Sequence, residues 1–289
     1  MSAGGEETPL ETFAHRAMGT AFEVLLPGRD RSNAKALAEE AFAELDRLEG
    51  ALSRFRPESD ISRLNRAGAG DRLRLGVSAY DCLRLAEAAR AETGGAFDVA
   101  ASPGRPATAD ERRPFIVHEE ENAVTVLRED PNVDLGGIGK GYAVDRMVER
   151  LREWGAEAGL VHGGQSVVRG WGARPDGGAW EAALRGPSGA TDALATVVLR
   201  GGALSGSGVQ THGPHIVDPA TGRPPEQRRA AWALAPSAAR ADALSTAFMI
   251  MSRDAIEACC RRHAEVGAAV LDRGGQPDGP LFFGDWEVR

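Results

Sequence analysis

The chain has 289 residues, of which 42% are hydrophobic and 26% are charged, proportions that are typical of a globular protein and exclude a disordered or fibrous one. Its formal net charge of −8 argues against a nucleic-acid partner, because phosphate backbones are bound by clustered Lys and Arg. The three cysteines have neither the pattern of a disulfide framework nor the spacing of a zinc site.

The first third of the chain predicts one strand followed by helices. Residues 13–27 are strand-like and are entered through Met18-Gly19-Thr20. Apolar residues at helical spacing then predict amphipathic helices. These helices cover residues 33–52, 59–65 and 77–93, the last of them stopped by Gly94-Gly95.

The rest of the chain mixes hairpins and helices. Residues 102–114 are rich in Pro and charge, which makes them a candidate local break in a single domain of residues 1–289. Strands are predicted at residues 115–117, 123–127, 159–162, 166–169, 180–184, 195–199 and 268–271. Helices are predicted at residues 142–154, 241–252 and 255–263. This mixture favours an α+β fold over a regular doubly wound sheet.

A glycine-rich turn at residues 134–141 precedes the helix predicted from Tyr142. Its glycines allow the backbone to approach a ligand closely. The free N–H groups of the helix and the charge of Lys140 favour a phosphate there. The turn matches neither a Walker loop nor a dinucleotide fingerprint. Taken alone, it is equally consistent with a tight strand-to-helix connection.

Asp242 and Thr246 lie four residues apart on a predicted helix, so their oxygen atoms share one face. A carboxylate and a hydroxyl form an oxygen-only pair of the kind that suits Mg²⁺, whose shell is completed by water and substrate phosphates. The alternative is that Asp242 caps the helix and Thr246 is an ordinary buried hydroxyl.

Three further segments contain candidate ligand-binding residues. His215, just before the turn at Asp218-Pro219, has the side chain of a general base or of a structural hydrogen-bonding residue. The segment 205–208 (SGSG) offers hydroxyl and backbone donors to a nucleotide, or is a flexible loop. Phe55 or Met18 would stack on a flavin ring, or would pack in the core.

In order along the chain, these segments closely resemble the ApbE family, the FAD:protein FMN transferases. The resemblance spans roughly residues 18–251 and rests on the ordered motifs MGT, LSRFRPESDISRLN, GGAFDV, DLGGIGKGYAVD, SG, HIVDPATG and ADALSTA. It implies an α+β, T-fold-like architecture of mixed sheets with packed helices.

The resemblance also implies roles for individual residues. The metal, Mg²⁺, would be held by the Gly137 carbonyl, Asp242 and Thr246, with Ser245 as a third side-chain contributor. His215 would help to deprotonate the acceptor hydroxyl. The FAD contacts would be Met18, Phe55, Ala96, Phe97, Asp98, Asp134, Lys140, Ser205 and Ile216.

The implied reaction is Mg²⁺-dependent transfer of the FMN moiety of FAD onto a Thr or Ser hydroxyl of an acceptor flavoprotein, with release of AMP. The acceptors usually carry the motif Asp-Ser/Thr-x-x-Ser/Thr-Gly-Ala-Thr. Two alternatives are an FAD pyrophosphatase, which gives FMN and AMP, and a non-catalytic FAD-binding relative. Residues 1–20 contain no apolar signal segment, which predicts a cytoplasmic protein as written and leaves open an exported form whose signal has been removed.

The sequence departs from the family pattern at two places near the expected site. The segment 99–133 is shorter than the corresponding segment of the family, and the family's usual Pro-Leu…Leu-Trp-Gly-Phe stretch is replaced by residues 101–110. In addition, the family's Gly-Gly-Asp is Gly163-Gly164-Gln165 here, which removes a negative charge. These departures affect the substrate side more than the metal side, because the residues matched to the metal are all present.

Overall fold

The computed structural model describes residues 9–28, 30–106, 113–119, 121–186, 193–208, 216–274 and 279–289. Within these ranges, antiparallel sheets combine with helices, which confirms the predicted α+β class. The strands are β1 Leu10–Ala17, β2 Thr20–Pro27, β3 Arg72–Arg74, β4 Phe115–His118, β5 Ala123–Val126, β6 Gly159–Gly163, β7 Val167–Trp171, β8 Trp180–Arg185, β9 Ala193–Leu199, β10 Ala203–Gly208, β11 Arg228–Ala235, β12 Gly267–Asp272 and β13 Leu281–Phe283. The helices are α1 Arg31–Leu52, α2 Asp60–Asn65, α3 Val77–Glu92, α4 Gly139–Glu153, α5 Ala238–Phe248 and α6 Arg253–Arg262.

The largest sheet has eight strands in the order β1-β2-β6-β7-β10-β11-β12-β13, and each neighbouring pair is antiparallel. Alternate residues of its strands face opposite sides, as strand geometry requires. Val161, Val167 and Ala231 therefore join the core with the helices. Leu160 and Trp232 instead join a second cluster with the β8–β9 hairpin. The sheet is thus covered on both faces, and its helical side includes α4 and α5.

The strand predicted at residues 13–27 is in fact most of a hairpin. Strands β1 and β2 pair in register and are joined by Met18 and Gly19, whose φ values are 50° and 74°. Positive φ at both central residues is the conformation of a two-residue hairpin turn whose twist matches that of the strands. Glycine adopts it readily, whereas methionine is an uncommon residue there.

Helices α4 and α5 both begin three residues before their predicted starts. Ser237 is the N-cap of α5, and its hydroxyl accepts the N–H of Arg240. The carboxylate of Asp145, on α4, accepts the N–H groups of Ala238 and Ala239, both at 2.8 Å. The interpretation of Asp242 as an N-cap is therefore wrong, because the cap lies five residues earlier.

Strands β10, β11 and the short β13, all in the second half of the chain, were not predicted as strands. The segment 205–208, for which a flexible loop was one interpretation, belongs to β10 and pairs with β11 along its length and with β7 at Ser205. Part of the candidate break, residues 107–112, lies outside the described residues. Among the helices in the described ranges, none combines the length and the apolar character needed to cross a membrane.

Candidate functional site

The site is built where the first turns of α4 and α5 cross. Gly141 lies in the first turn of α4, and a Cβ added there would be 2.2 Å from the carbonyl oxygen of Ala238. Only glycine allows this approach, because any side chain would overlap the backbone of α5. The N–H of Gly141 donates to Oδ2 of Asp242 at 3.1 Å. Asp242 is consequently in direct contact with the glycine-rich turn, although 101 residues separate it from Gly141.

Strand β10 contributes two serines to the same place. Residues 205 and 207 share one face because side chains alternate along a strand. Ser205 is fully buried and donates from Oγ to Oδ1 of Asp242 at 3.0 Å. Gly206 faces the other side, where an added Cβ would lie 2.6 Å from the indole ring of Trp232. The Ser-Gly-Ser pattern therefore places hydroxyls on one face and leaves room for an indole on the other.

Hydroxyl groups surround the next turn of α5. Oγ of Ser207 lies 2.9 Å from Oγ of Ser245 and 3.3 Å from Oγ1 of Thr246. Ser245 is fully buried, and its hydroxyl donates to the Asp242 carbonyl at 2.9 Å. Ser207 is half-buried, so this group of hydroxyls extends from the core to the surface of the site.

Gly137 closes the site opposite Thr246. A Cβ at Gly137 would be 3.2 Å from Oγ1 of Thr246 and 3.1 Å from a ring carbon of Phe97. The structure therefore brings together Gly137, Asp242 and Thr246, the three residues that the family resemblance matches to the metal. Phe97 is 3% exposed and forms a wall behind the glycine turn.

These donors suit a hard divalent cation. An ionised carboxylate has about four acceptor positions, and Asp242 uses two of them for Gly141 and Ser205. The other polar side chains near Asp242 are hydroxyls, and their oxygen atoms are ligands of the kind that Mg²⁺ accepts. Across the part of the chain that is described, no group of three or more His, Cys, Asp or Glu residues is arranged to hold a metal. A cation bound at Asp242 would therefore need water or phosphate oxygens to complete its shell.

One carboxylate and two cationic side chains lie at the mouth of the glycine turn. Oδ1 of Asp134 accepts the N–H of Gly136 at 2.9 Å, and Oδ2 accepts from Nη1 of Arg54 at 2.9 Å. Nζ of Lys140 donates to the Gly136 carbonyl at 3.3 Å. Arg54 was not among the residues predicted for the site. The only signal in the sequence was its position beside Phe55 in the LSRFRPESDISRLN motif.

The predicted flavin contacts differ widely in exposure. The Phe55 ring is 86% exposed, which rules out a core role for this side chain. Met18 is half-buried, and its N–H donates to Oε1 of Glu49 at 2.6 Å. Ile216 is only 5% exposed. His215, the predicted catalytic residue, lies outside the described residues.

Ala96, Phe97 and Asp98 form a buried or half-buried turn after α3. The Asp98 side chain is 2% exposed, lies 3.3 Å from Nε of Arg90, and accepts the N–H of Ala100 at 2.8 Å. Asp98 therefore fixes the shape of the turn. The buried hydroxyl of Ser205 donates to Asp242 and lies 3.3 Å from Oγ of Ser245, and its contact with FAD stays a prediction.

Burial also controls the cysteine thiols. It raises the pKa of Cys82, and the nearby carboxylate of Asp242 raises it further. Burial likewise raises the pKa of Cys259 and brings that of Cys260 to about 11. Since the thiolate is the reactive form, we expect iodoacetamide at pH 8 to alkylate the native protein ~100-fold more slowly than a free thiol. Mass spectrometry should show three labelled cysteines only after denaturation, and rapid native labelling would contradict this picture.

The sequence of the chain is similar to those of known flavin transferases. A sequence model of the ApbE family matches residues 18–271. The chain is 24% identical over 293 residues to the FAD:protein FMN transferase of Escherichia coli (strain K12), across 88% of this chain and 82% of that protein. It is 28% identical over 286 residues to the protein of that name from Vibrio cholerae serotype O1, across 86% and 84%.

Solved structures agree with these sequence relationships. The flavin transferase ApbE from Vibrio cholerae superimposes with a TM-score of 0.79 at 25% identity, over 95% of this chain and 97% of that one. The apo flavinyl transferase ApbE from Pseudomonas stutzeri gives a TM-score of 0.77 at 25% identity, over 95% and 94%. The match therefore extends over nearly the whole length of each chain.

Proposed function

Because the chain belongs to the ApbE family, we propose that it is a Mg²⁺-dependent FAD:protein FMN transferase. The observation that supports this most strongly is the contact between Asp242 and the glycine-rich turn, where Gly141 N lies 3.1 Å from Oδ2. A carboxylate that can hold a cation and a turn that can hold phosphates are thus adjacent. An enzyme that acts on the diphosphate of FAD requires both.

The phosphate side of the site would be formed by the first turn of α4. Four backbone N–H groups at the start of a helix lack partners within the helix, and the helix dipole favours an anion there. The N–H of Gly141 is used by Asp242, and those of Ile138 and Gly139 are used by the Leu135 carbonyl. The phosphate would therefore be favoured by the dipole of α4 and by the positive charge of Lys140 beside the turn. We therefore place the FAD diphosphate against residues 136–140, between the turn and the hydroxyls of α5.

The metal would be held by Asp242, Thr246 and the Gly137 carbonyl. When bound, Mg²⁺ neutralises phosphate charge and acts as a Lewis acid on a phosphoryl oxygen. The neighbouring residues of the chain would hold these metal ligands in position. Ser205 and Gly141 hold the Asp242 carboxylate from both sides, and Ser207 lies 3.3 Å from the Thr246 hydroxyl.

The proposed reaction is an in-line displacement at phosphorus. A Thr or Ser hydroxyl of the acceptor protein forms a new O–P bond to the FMN phosphate. The anhydride P–O bond breaks, and AMP leaves with the bridging oxygen. The proton of the attacking hydroxyl passes to a general base, a role that we assign to His215. The flavin would lie toward Met18 and the exposed ring of Phe55, with Ala96, Phe97, Asp98 and Ile216 behind it.

The proposal is tested by mixing the full chain with FAD, Mg²⁺ and an acceptor domain that carries the motif Asp-Ser/Thr-x-x-Ser/Thr-Gly-Ala-Thr. Covalent flavin on the acceptor should appear as in-gel fluorescence and should depend on Mg²⁺. A matched acceptor with Ala in place of the modified hydroxyl residue should stay unlabelled. No labelling of several acceptors in the presence of FAD and Mg²⁺ would contradict the proposal.

The runner-up function, an FAD pyrophosphatase, depends on water reaching the same phosphorus. Its motivation was the shortened segment after Asp98. That segment still packs against the HIVDPATG motif, because Gly104 donates its N–H to the Gly222 carbonyl at 2.8 Å. We therefore favour transfer over hydrolysis. Release of free FMN and AMP without an acceptor would reverse this preference.

Ser205 provides a test of the metal arrangement. We expect Ser205→Ala to raise the Mg²⁺ concentration needed for half-maximal rate by about 10-fold, because residues that orient a metal ligand are typically worth 10–100-fold in affinity. The measurement is the initial rate of labelling against Mg²⁺ concentration. Ser32→Ala, on the exposed first turn of α1, is the control and should leave the curve unchanged. An unchanged Mg²⁺ dependence in Ser205→Ala would show that Ser205 does not act through the metal ligand.

A further inference from the structure

Arg54 joins two segments that border the glycine turn. Its Nη1 donates to Oδ2 of Asp134 at 2.9 Å, and its Nη2 donates to Oδ1 of Asn132 at 3.0 Å. Nδ2 of Asn132 then donates to Oγ of Ser102 at 2.7 Å. One guanidinium therefore connects the residue expected to bind FAD with the shortened segment that replaces the family's usual wall.

The same guanidinium also lies beside Phe55. The Cζ atom of Arg54 is 5.7 Å from the centroid of the Phe55 ring, within the range of a cation–π interaction. The ring itself is 86% exposed. The Arg54 side chain is one-third exposed, so a single half-buried group fixes both the acid and the aromatic ring on one face.

Electrostatics gives this arrangement a consequence for ligand binding. An unpaired carboxylate at Asp134 would repel a diphosphate bound against residues 136–140, because like charges at short range are unfavourable. Arg54 cancels that charge and leaves Lys140 as the net positive group at the turn. The direction of the carboxylate is fixed by two donors on different oxygens, because Nη1 of Arg54 donates to Oδ2 and the N–H of Gly136 donates to Oδ1.

We propose that Arg54 is a positioning residue for FAD binding, which neutralises and orients Asp134 and holds the Phe55 ring at the flavin side of the site. This inference rests on the proposed function, because it concerns the binding of FAD. A positioning role for Arg54 can be distinguished from a purely structural role by one expected result. The effect of removing Arg54 should depend on the negative charge of Asp134.

The test is a double-mutant cycle in the full-length chain, with FAD affinity measured by equilibrium ultrafiltration in the presence of Mg²⁺ and again in EDTA. We expect Arg54→Ala to weaken FAD binding about 3- to 10-fold, the range for a partly exposed charged hydrogen bond. In the Asp134→Asn background, the same change should weaken binding less than about twofold. Arg54→Gln, which keeps hydrogen-bonding capacity without the charge, is measured in parallel and should behave like Arg54→Ala.

Arg47→Ala is the matched control, because Arg47 is an exposed arginine on α1 paired with Glu44, and it should leave FAD affinity unchanged. Equal losses in both Asp134 backgrounds would overturn the inference, as would no loss in Arg54→Ala and Arg54→Gln. Either result would leave the proposed function intact if the acceptor is still labelled. If the wild-type chain binds no FAD with or without Mg²⁺, the proposed function and the inference both fail.

Discussion

Asp242→Asn is expected to lower the rate of FMN transfer by at least about 10³-fold while the protein remains folded. Asparagine has the shape of aspartate, and its amide can accept the N–H of Gly141 and donate to Oγ of Ser205, so the two hydrogen bonds of the wild type can both be replaced. What is lost is the negative charge that would hold Mg²⁺. Lewis-acid stabilisation is worth several kcal/mol in such sites, and about 1.4 kcal/mol corresponds to a factor of ten in rate.

The measurement is the initial rate of covalent flavin appearing on an acceptor, over a range of Mg²⁺ concentrations. Asp254→Asn is the control, because Asp254 is an exposed aspartate in the first turn of α6. Circular dichroism should give the same melting temperature for both variants to within a few degrees. Transfer at more than a tenth of the wild-type rate in Asp242→Asn would contradict the assignment of Asp242 to the metal.

Gly141→Ala is expected to destabilise the protein by about 3 kcal/mol or more. The added methyl group would lie 2.2 Å from the Ala238 carbonyl oxygen and 2.6 Å from its carbon, which are backbone atoms that cannot rotate away. Helices α4 and α5 would have to separate, and overpacking of this kind costs about 1–3 kcal/mol, sometimes more. For a chain of this size the melting temperature should fall by roughly 6–12 °C. Transfer should also be lost, because Asp242 would move away from the turn.

Gly139→Ala distinguishes this close contact from a general need for glycine in the motif. The nearest atom to an added Cβ at Gly139 is Cβ of Leu135 at 3.6 Å, an ordinary contact. Alanine is also the better residue within a helix. Thermal unfolding of Gly139→Ala should therefore match the wild type or exceed it slightly. Equal destabilisation by the two substitutions would show that the crossing of α4 and α5 is not the cause.

The amphipathic helices were predictable because the buried face of each helix is visible in the spacing of apolar residues within its own sequence. The spacing of Leu45, Leu48 and Leu52 in α1 indicates the buried face directly, and all three are buried in the structure. The start of α5 was not predicted to the residue. Ser237 is a local N-cap signal for that boundary. The N–H groups of Ala238 and Ala239 are bound by Asp145, which is 93 residues from Ala238 in the sequence, and no local pattern reveals that contact.

Strands β10 and β11 were missed for a related reason. Their residues are mainly Ala, Gly and Ser, which have low strand propensity and little alternation of apolar and polar character. Pairing with β7 and β12 makes them strands, and that pairing is set by the tertiary fold. The ordered motifs pointed to Gly137, Asp242 and Thr246, which lie together in the structure. The hydrogen bonds of Ser205 and Arg54 depend on contacts that sequence spacing does not reveal.

The most direct test of the proposed transfer is to quantify AMP and acceptor-bound FMN in the same reaction. The full chain would be incubated with FAD, Mg²⁺ and an acceptor domain, with AMP measured by chromatography and bound FMN by mass spectrometry. We predict one AMP for each FMN attached to the acceptor, and almost no AMP when the acceptor is omitted. AMP formed with free FMN at the same rate with or without acceptor would contradict the account.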